Sequence, residues 1–148
     1  MSEINQPVNT ANQLTTDYDV SKIFIYENRF ETGSFNNDTY DPVTLQAGTV
    51  MGRNKTTGKI LPLQSNATDG SKYPVGILNK TTTVNEGDTV DLAFCVAGDV
   101  AEEKVILVKD GDTLETIVDN RRLRDRIAAD TVGIKLVAST ELTVADNS

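Results

Sequence analysis

Cys95 carries the most reactive side chain in this sequence, and it is the only cysteine. A thiol becomes a nucleophile when a neighbouring base or cation takes its proton. Histidine, the usual base, is absent from the chain. One cysteine also rules out an internal disulfide and a Cys-rich zinc site, and the missing histidine removes the commonest member of catalytic triads and zinc-water sites. Cys95 is expected to be structural. Asp110-Gly111-Asp112 places two carboxylates close together. A hard cation needs roughly six to eight oxygen ligands, so the pair alone reads as a solvated turn. The Asp69 loop fails the calcium-loop pattern, because Ser65 and Ala67 stand where acidic or amide ligands are needed. No metal, no cofactor and no enzymatic activity is expected.

The cations give a third candidate. Arg121, Arg122, Arg124 and Arg126 lie within six residues. Such a cluster suits a nucleic-acid backbone, yet Asp119, Asp125 and Asp130 interleave with it and no aromatic accompanies it. It reads as a solvated, salt-bridged helix face, with a polar subunit contact as the alternative. The formal net charge of −8 also argues against nucleic acid and against anionic lipid as partners. No apolar run approaches the roughly 20 residues of a membrane helix. The first ten residues, MSEINQPVNT, lack the basic and apolar regions of a signal peptide. The expected site of synthesis is a cytoplasm.

The elements that must position these groups are mostly strands. Asp41 to Leu78 reads as short apolar runs separated by glycine turns: Thr49 to Met51 after Ala47-Gly48, Lys59 to Leu63 after Thr57-Gly58, then Pro74 to Leu78 after a polar loop from Gln64 to Lys72. Thr81 to Asp88 reads as a turn-rich link. Thr89 to Ala97 is the clearest strand: Val90, Leu92, Phe94 and Val96 alternate with Asp91, Ala93, Cys95 and Ala97, and the first set should face the core. Gly98-Asp99 should end it, with Asp99 capping a short helical turn at Ala101 to Lys104. Thr113 to Asp130 is the helical region, either continuous or with Asn120 to Ala129 standing alone behind Asp119. Leu123 and Ile127 share one face. Thr131 to Val137 reads as a closing half-buried strand.

The ends differ from this body. Met1 to Asp19 is rich in Asn, Gln, Thr and Ser and reads as a flexible arm. Ile23, Phe24, Ile25 and Tyr26 form a dense β-favouring run, with Ile23 and Ile25 on one side and Phe24 and Tyr26 on the other. Two readings stand: a strand of the domain's own sheet, or a strand that covers an edge on a neighbouring subunit or partner surface. Glu31 to Tyr40 reads as a loop. The division is therefore an arm over 1–40 with a docking strand near 22–27, a β-rich domain over 41–137 and a tail over 138–148. The fold class expected is mainly β with short helices (α+β). A small binding module presenting loops to glycans or host surfaces is an alternative, with Tyr40 and Tyr73 as its exposed aromatic candidates.

The order of motifs resembles the head decoration protein D family of tailed bacteriophages, the lambda-type auxiliary capsid proteins. The residues that carry the resemblance are Ala47 to Arg53, Thr57-Gly58-Lys59-Ile60, Thr68-Asp69-Gly70, Pro74 to Leu78, Phe94 to Val100 with Glu102-Glu103 after it, and the basic helix leading into Val132-Gly133-Ile134. The resemblance spans roughly Leu45 to Val137. It implies a compact β-tulip domain without a catalytic site. It also implies homotrimers on the outer surface of an expanded head, bound to the major capsid protein and holding the shell against the pressure of packaged DNA. In that setting Ile23, Phe24, Ile25 and Tyr26 are the capsid-binding candidates, and the protein passes from the host cytoplasm to the virion.

Overall fold

The computed structural model describes residues 22–138. The arm expected over Met1 to Asp19 and most of the tail expected after Val137 lie outside the described residues. In chain order the strands are β1 (Phe24–Asn36), β2 (Val43–Leu45), β3 (Val50–Arg53), β4 (Ile60–Pro62), β5 (Pro74–Leu78), β6 (Thr82–Val84), β7 (Thr89–Ala101), β8 (Ile117–Val118), β9 (Arg121–Arg122) and β10 (Gly133–Val137). A 3-10 turn covers Glu102–Lys104, and one α-helix, α1, covers Leu123–Asp130. The domain is mainly β, as expected.

β7 is the spine. Along one side it pairs antiparallel with β1, from Phe24 opposite Val100 to Asn36 opposite Thr89. Its other side is shared. β5 takes Phe94 and Cys95, antiparallel, and β10 takes Ala97 to Ala101, parallel. β3 then pairs with β5, and β4 with β3. A second small sheet joins β2 to β6.

The central strands of the larger sheet, β3, β5 and β7, are buried on both faces. Neighbouring residues of one strand therefore enter opposite cores: Val50 and Met51, Ile77 and Leu78, Cys95 and Phe94. Side chains alternate across a strand, so a doubly covered strand reads as an unbroken apolar run. One core gathers Phe35, Leu45, Met51, Ile60, Leu92 and Phe94. The other gathers Leu63, Cys95, Val100, Val118, Ile134 and the helix residues Leu123 and Ile127. Leu92, Phe94 and Val96 share a core as the alternation predicts. Cys95, on the other face of the strand, is fully buried in the second core.

Several local expectations are corrected. The segment read as a loop from Glu31 is strand as far as Asn36, so the sheet begins at Phe24 rather than near Asp41. Composition misleads there because pairing along β7 outweighs the turn preference of Gly, Ser and Asn. β7 does not stop at Gly98-Asp99 but continues to Ala101. Gly98 sits at φ +107 where β1 bulges, and an added Cβ would lie 2.7 Å from the carbonyl oxygens of both Tyr26 and Glu27. Asp99 pairs with Lys135 in the sheet, and the 3-10 turn has no side-chain cap. The link from Thr81 to Asp88 contains β6.

The helical region is the largest correction. Only Leu123–Asp130 is helix. Ile117–Val118 and Arg121–Arg122 form a hairpin around Asp119 and Asn120, which have φ of 47° and 73°. Two consecutive positive φ angles define a type I′ turn, whose twist matches that of paired strands. Asp and Asn are the non-glycine residues that tolerate this region best. The Leu123–Ile127 pair does form the buried face of α1.

Candidate docking surface

β1 is hydrogen-bonded only to β7 among the described strands. It is a thirteen-residue edge strand. Its register slips between Phe24 and Tyr26, between Tyr26 and Arg29, and between Arg29 and Phe30. Bulges of this kind bend an edge and break its run of open N–H and C=O groups. Asn28 secures the bend, donating from Nδ2 to the Asp99 carbonyl at 3.0 Å and to Cys95 Sγ at 3.6 Å.

The bulges redistribute the four candidate residues. The simple alternation of Ile23 and Ile25 against Phe24 and Tyr26 does not hold. Ile23 and Phe24 both pack against the second core. The Ile23 carbonyl accepts the Ala101 amide at 2.8 Å. Ile25 is half-buried, and Tyr26 is 63% exposed. The strand thus belongs to the domain's own sheet, and Tyr26 alone of the four is chiefly turned to solvent. Phe30, four residues on, is 42% exposed. Its ring stands edge-on to Phe24 at 5.3 Å. The bulges bring these two rings together, and no fixed spacing in the sequence signals that.

The arginine cluster is absorbed by carboxylates. Arg124 makes a bidentate contact to Glu102, at 2.8 and 3.3 Å, and donates from Nε to Glu115 at 2.9 Å. Arg122 bridges Glu115 and Asp125 at 2.9 and 3.2 Å. Arg126 donates to the carbonyls of Val118 and Asp119 and to Asp130. Arg121 has no such partner among the described residues. The salt-bridged face expected from the interleaved charges is what the structure shows, although much of it lies on the hairpin rather than on a long helix.

Tyr73 is not an exposed platform. Its hydroxyl donates to Asp119, and its ring faces Lys72 Nζ at 5.3 Å and Arg126 Cζ at 5.1 Å. It is half-buried against the second core. Tyr40 is 89% exposed. Asp112 accepts the Ser65 amide at 3.1 Å and the Ser65 hydroxyl at 2.6 Å, and so ties two loops together. Asp69 accepts both donors of Ser71. Burial pushes the Cys95 thiol up, away from the thiolate that nucleophilic attack requires.

Three carboxyls are held below the usual carboxylate range: Glu115 by Arg124 and Arg122, Asp119 by Tyr73 and Lys72, and Asp69 by Ser71. A depressed folded pKa contributes stability above the unfolded value, and that contribution is lost as pH falls through the folded value. The raised pKa of Lys72 acts only in strongly alkaline solution. The melting temperature should therefore be flat across neutral pH and fall below about pH 4, where free carboxyls titrate. Thermal melts across pH would check this. A steep fall already at pH 6 would contradict it.

The class defined by this geometry is a small β-rich structural domain, closed by two cores and carrying one bulged edge strand. Residues 28–126 match the family model of the bacteriophage lambda head decoration protein D, and the chain belongs to that family. A comparison with curated proteins gives no match. The family is one of structural phage capsid proteins, so the chain is a capsid-decoration component of the virion. The match opens at Asn28, inside β1 and just after Tyr26, and closes before β10.

Proposed function

We propose that the protein cements an expanded phage head. It binds the outer surface of the shell as homotrimers, contacts the major capsid protein, and stabilises the lattice against internal DNA pressure. It is made in the host cytoplasm and joins the shell after expansion. Membership of the decoration family carries the role. The edge of β1, which among the described strands pairs only with β7 and keeps a regular register from Phe30 to Asn36, supports the way it docks. An edge strand offers unpaired main-chain groups to another strand, and Tyr26 and Phe30 add exposed aromatic area beside them. Residues 1–21 lead directly into that edge, and we take them as the arm that extends the contact, with Ile23 to Tyr26 as its root. Many weak contacts repeated by symmetry add through effective concentration.

Co-sedimentation with undecorated, expanded shells tests this. A truncation at Asp41 would remove β1 from the sheet, so the informative truncation begins at Lys22. Full-length protein should pellet with shells. The chain beginning at Lys22, and a full-length Tyr26→Ala/Phe30→Ala variant, should each bind at least about tenfold more weakly, a loss of about 1.4 kcal/mol or more. Full binding by both would place the contact elsewhere on the body. No pelleting by the full-length chain would sink the cement reading.

A further inference from the structure

The sequence contains two Asp-Gly pairs, Asp69-Gly70 and Asp110-Gly111. A glycine after aspartate leaves the next main-chain nitrogen open to the aspartate carboxyl, because no Cβ stands between them. The structure treats the two pairs differently. Asp69 is pinned at Oδ1 by the Ser71 amide at 2.9 Å and by the Ser71 hydroxyl at 2.6 Å. Its own carbonyl accepts the Lys55 amide at 2.7 Å, and the Gly70 carbonyl accepts that of Tyr73. The Asp110 carboxylate has no hydrogen bond or ion pair among the described residues. Asp110 and Gly111 are both exposed, and nothing lies within 4 Å of where a Gly111 Cβ would sit. Across that turn the Asp112 amide donates to the Lys109 carbonyl at 3.1 Å, and Lys109 Nζ donates to the Asp110 carbonyl at 3.3 Å and faces Asp112 Oδ1 at 3.8 Å; none of these engages the Asp110 carboxylate.

We propose that Asp110 is a site of spontaneous modification to isoaspartate, and that Ser71 protects Asp69 from the same reaction. The Gly111 nitrogen attacks the carboxyl carbon of Asp110. A new N–Cγ bond closes a five-membered imide; the carboxyl reacts in its protonated form, and its hydroxyl leaves with the amide proton as water. Water then opens the ring. Opening at Cγ restores aspartate; opening at the main-chain carbonyl leaves the chain running through Cγ. No oxidant or reductant takes part. At Asp69 the attack first requires two hydrogen bonds to a charged acceptor to break, and those bonds hold the carboxyl in its ionised, less electrophilic form. The product at position 110 has a consequence. It inserts a methylene into the main chain two residues before Asp112, whose carboxylate is tied to Ser65. That tie anchors the loop after β4 and should loosen.

The test is to incubate the full-length protein in heavy-oxygen water at physiological temperature and neutral pH, digest it, and map it by mass spectrometry. Ring opening places one heavy oxygen in the aspartyl peptide. Label and isoaspartate should accumulate at Asp110 about tenfold faster than at Asp69, the ratio that about 1.4 kcal/mol of added barrier gives. Ser71→Ala should raise labelling at Asp69 and leave Asp110 unchanged. Asp110→Glu should abolish labelling there, because its ring is one atom larger. Equal rates at the two positions in the unmodified protein overturn the proposal. So does an unlabelled Asp110 over the period in which a peptide of the same local sequence becomes labelled.

Discussion

Replacing Gly76 by valine is expected to cost about 3 kcal/mol or more, the upper range for overpacking a filled interior. Gly76 lies in β5, opposite Met51 of β3 and next to Ile77, which pairs with Cys95 of β7. A Cβ at this position would stand 2.4 Å from the Cys95 carbonyl oxygen and 2.5 Å from the Phe94 ring. The ring could turn; the main chain of β7 cannot yield without separating the two central strands. Valine otherwise favours a strand, so intrinsic preference would predict a gain. Both cores meet at this seam, since Ile77 and Cys95 enter one and Leu78 and Phe94 the other. Denaturant unfolding should show a lower midpoint, and a melting temperature lower by roughly 10 °C. Gly133→Ala is the control. Nothing lies within 4 Å of its Cβ position, so its effect should stay within about 0.5 kcal/mol. Equal stability of the two variants would show that β5 and β7 can part without loss.

The second large effect is expected at Asn37. It is 1% exposed and directly follows β1. Its Nδ2 donates to the carbonyls of Asp41 and Val84, at 2.9 and 3.0 Å. Its Oδ1 accepts the Thr39 amide at 3.0 Å and the Thr39 hydroxyl at 2.6 Å. Its main chain bonds Asp88 and Gly87. One residue thus joins the end of β1 to β6 through its side chain and to the turn leading into β7 through its main chain. Asn37→Ala leaves the Val84 carbonyl buried without that donor. A buried unsatisfied group costs about 1–3 kcal/mol, and the 37–41 turn loses its internal bonds as well, so about 3 kcal/mol is expected. Asn37→Asp should be at least as harmful at neutral pH, because it sets a carboxylate against two carbonyl oxygens. The damage from that variant should ease in acid, where the introduced carboxyl regains a proton to donate. Chemical denaturation at two pH values would measure both variants, and wild-type stability of Asn37→Ala would refute the role given to the side chain.

On the cementing role proposed above, variants that weaken the β5–β7 seam or the Asn37 junction should also weaken shells that carry them. Global stabilities of single domains are only about 5–15 kcal/mol, which makes either change a substantial fraction.

Much of this molecule follows from local sequence. The alternation in Thr89 to Ala97 places Leu92, Phe94 and Val96 in one core, and the Leu123–Ile127 spacing marks the buried face of the helix. Glycine-bounded runs mark β3, β4 and β5. The order of those motifs is enough to point to the decoration family, and charge interleaved along Arg121 to Asp130 is enough to predict ion pairs. These features depend on neighbours within a few residues, where spacing alone sets which side chains share a face. Other features arise between segments far apart in the chain. Glu31 to Asn36 becomes strand because β7 lies alongside, not because of its own composition. Tyr73 is taken out of solvent by Asp119 and Arg126. Ile23 and Phe24 are drawn into a core while Tyr26 is left outside, because bulges opposite Gly98 break the alternation. Asn37 is an ordinary loop residue until the fold encloses it. In each case the deciding contact joins residues remote in sequence, so only the tertiary structure brings the competing free energies together.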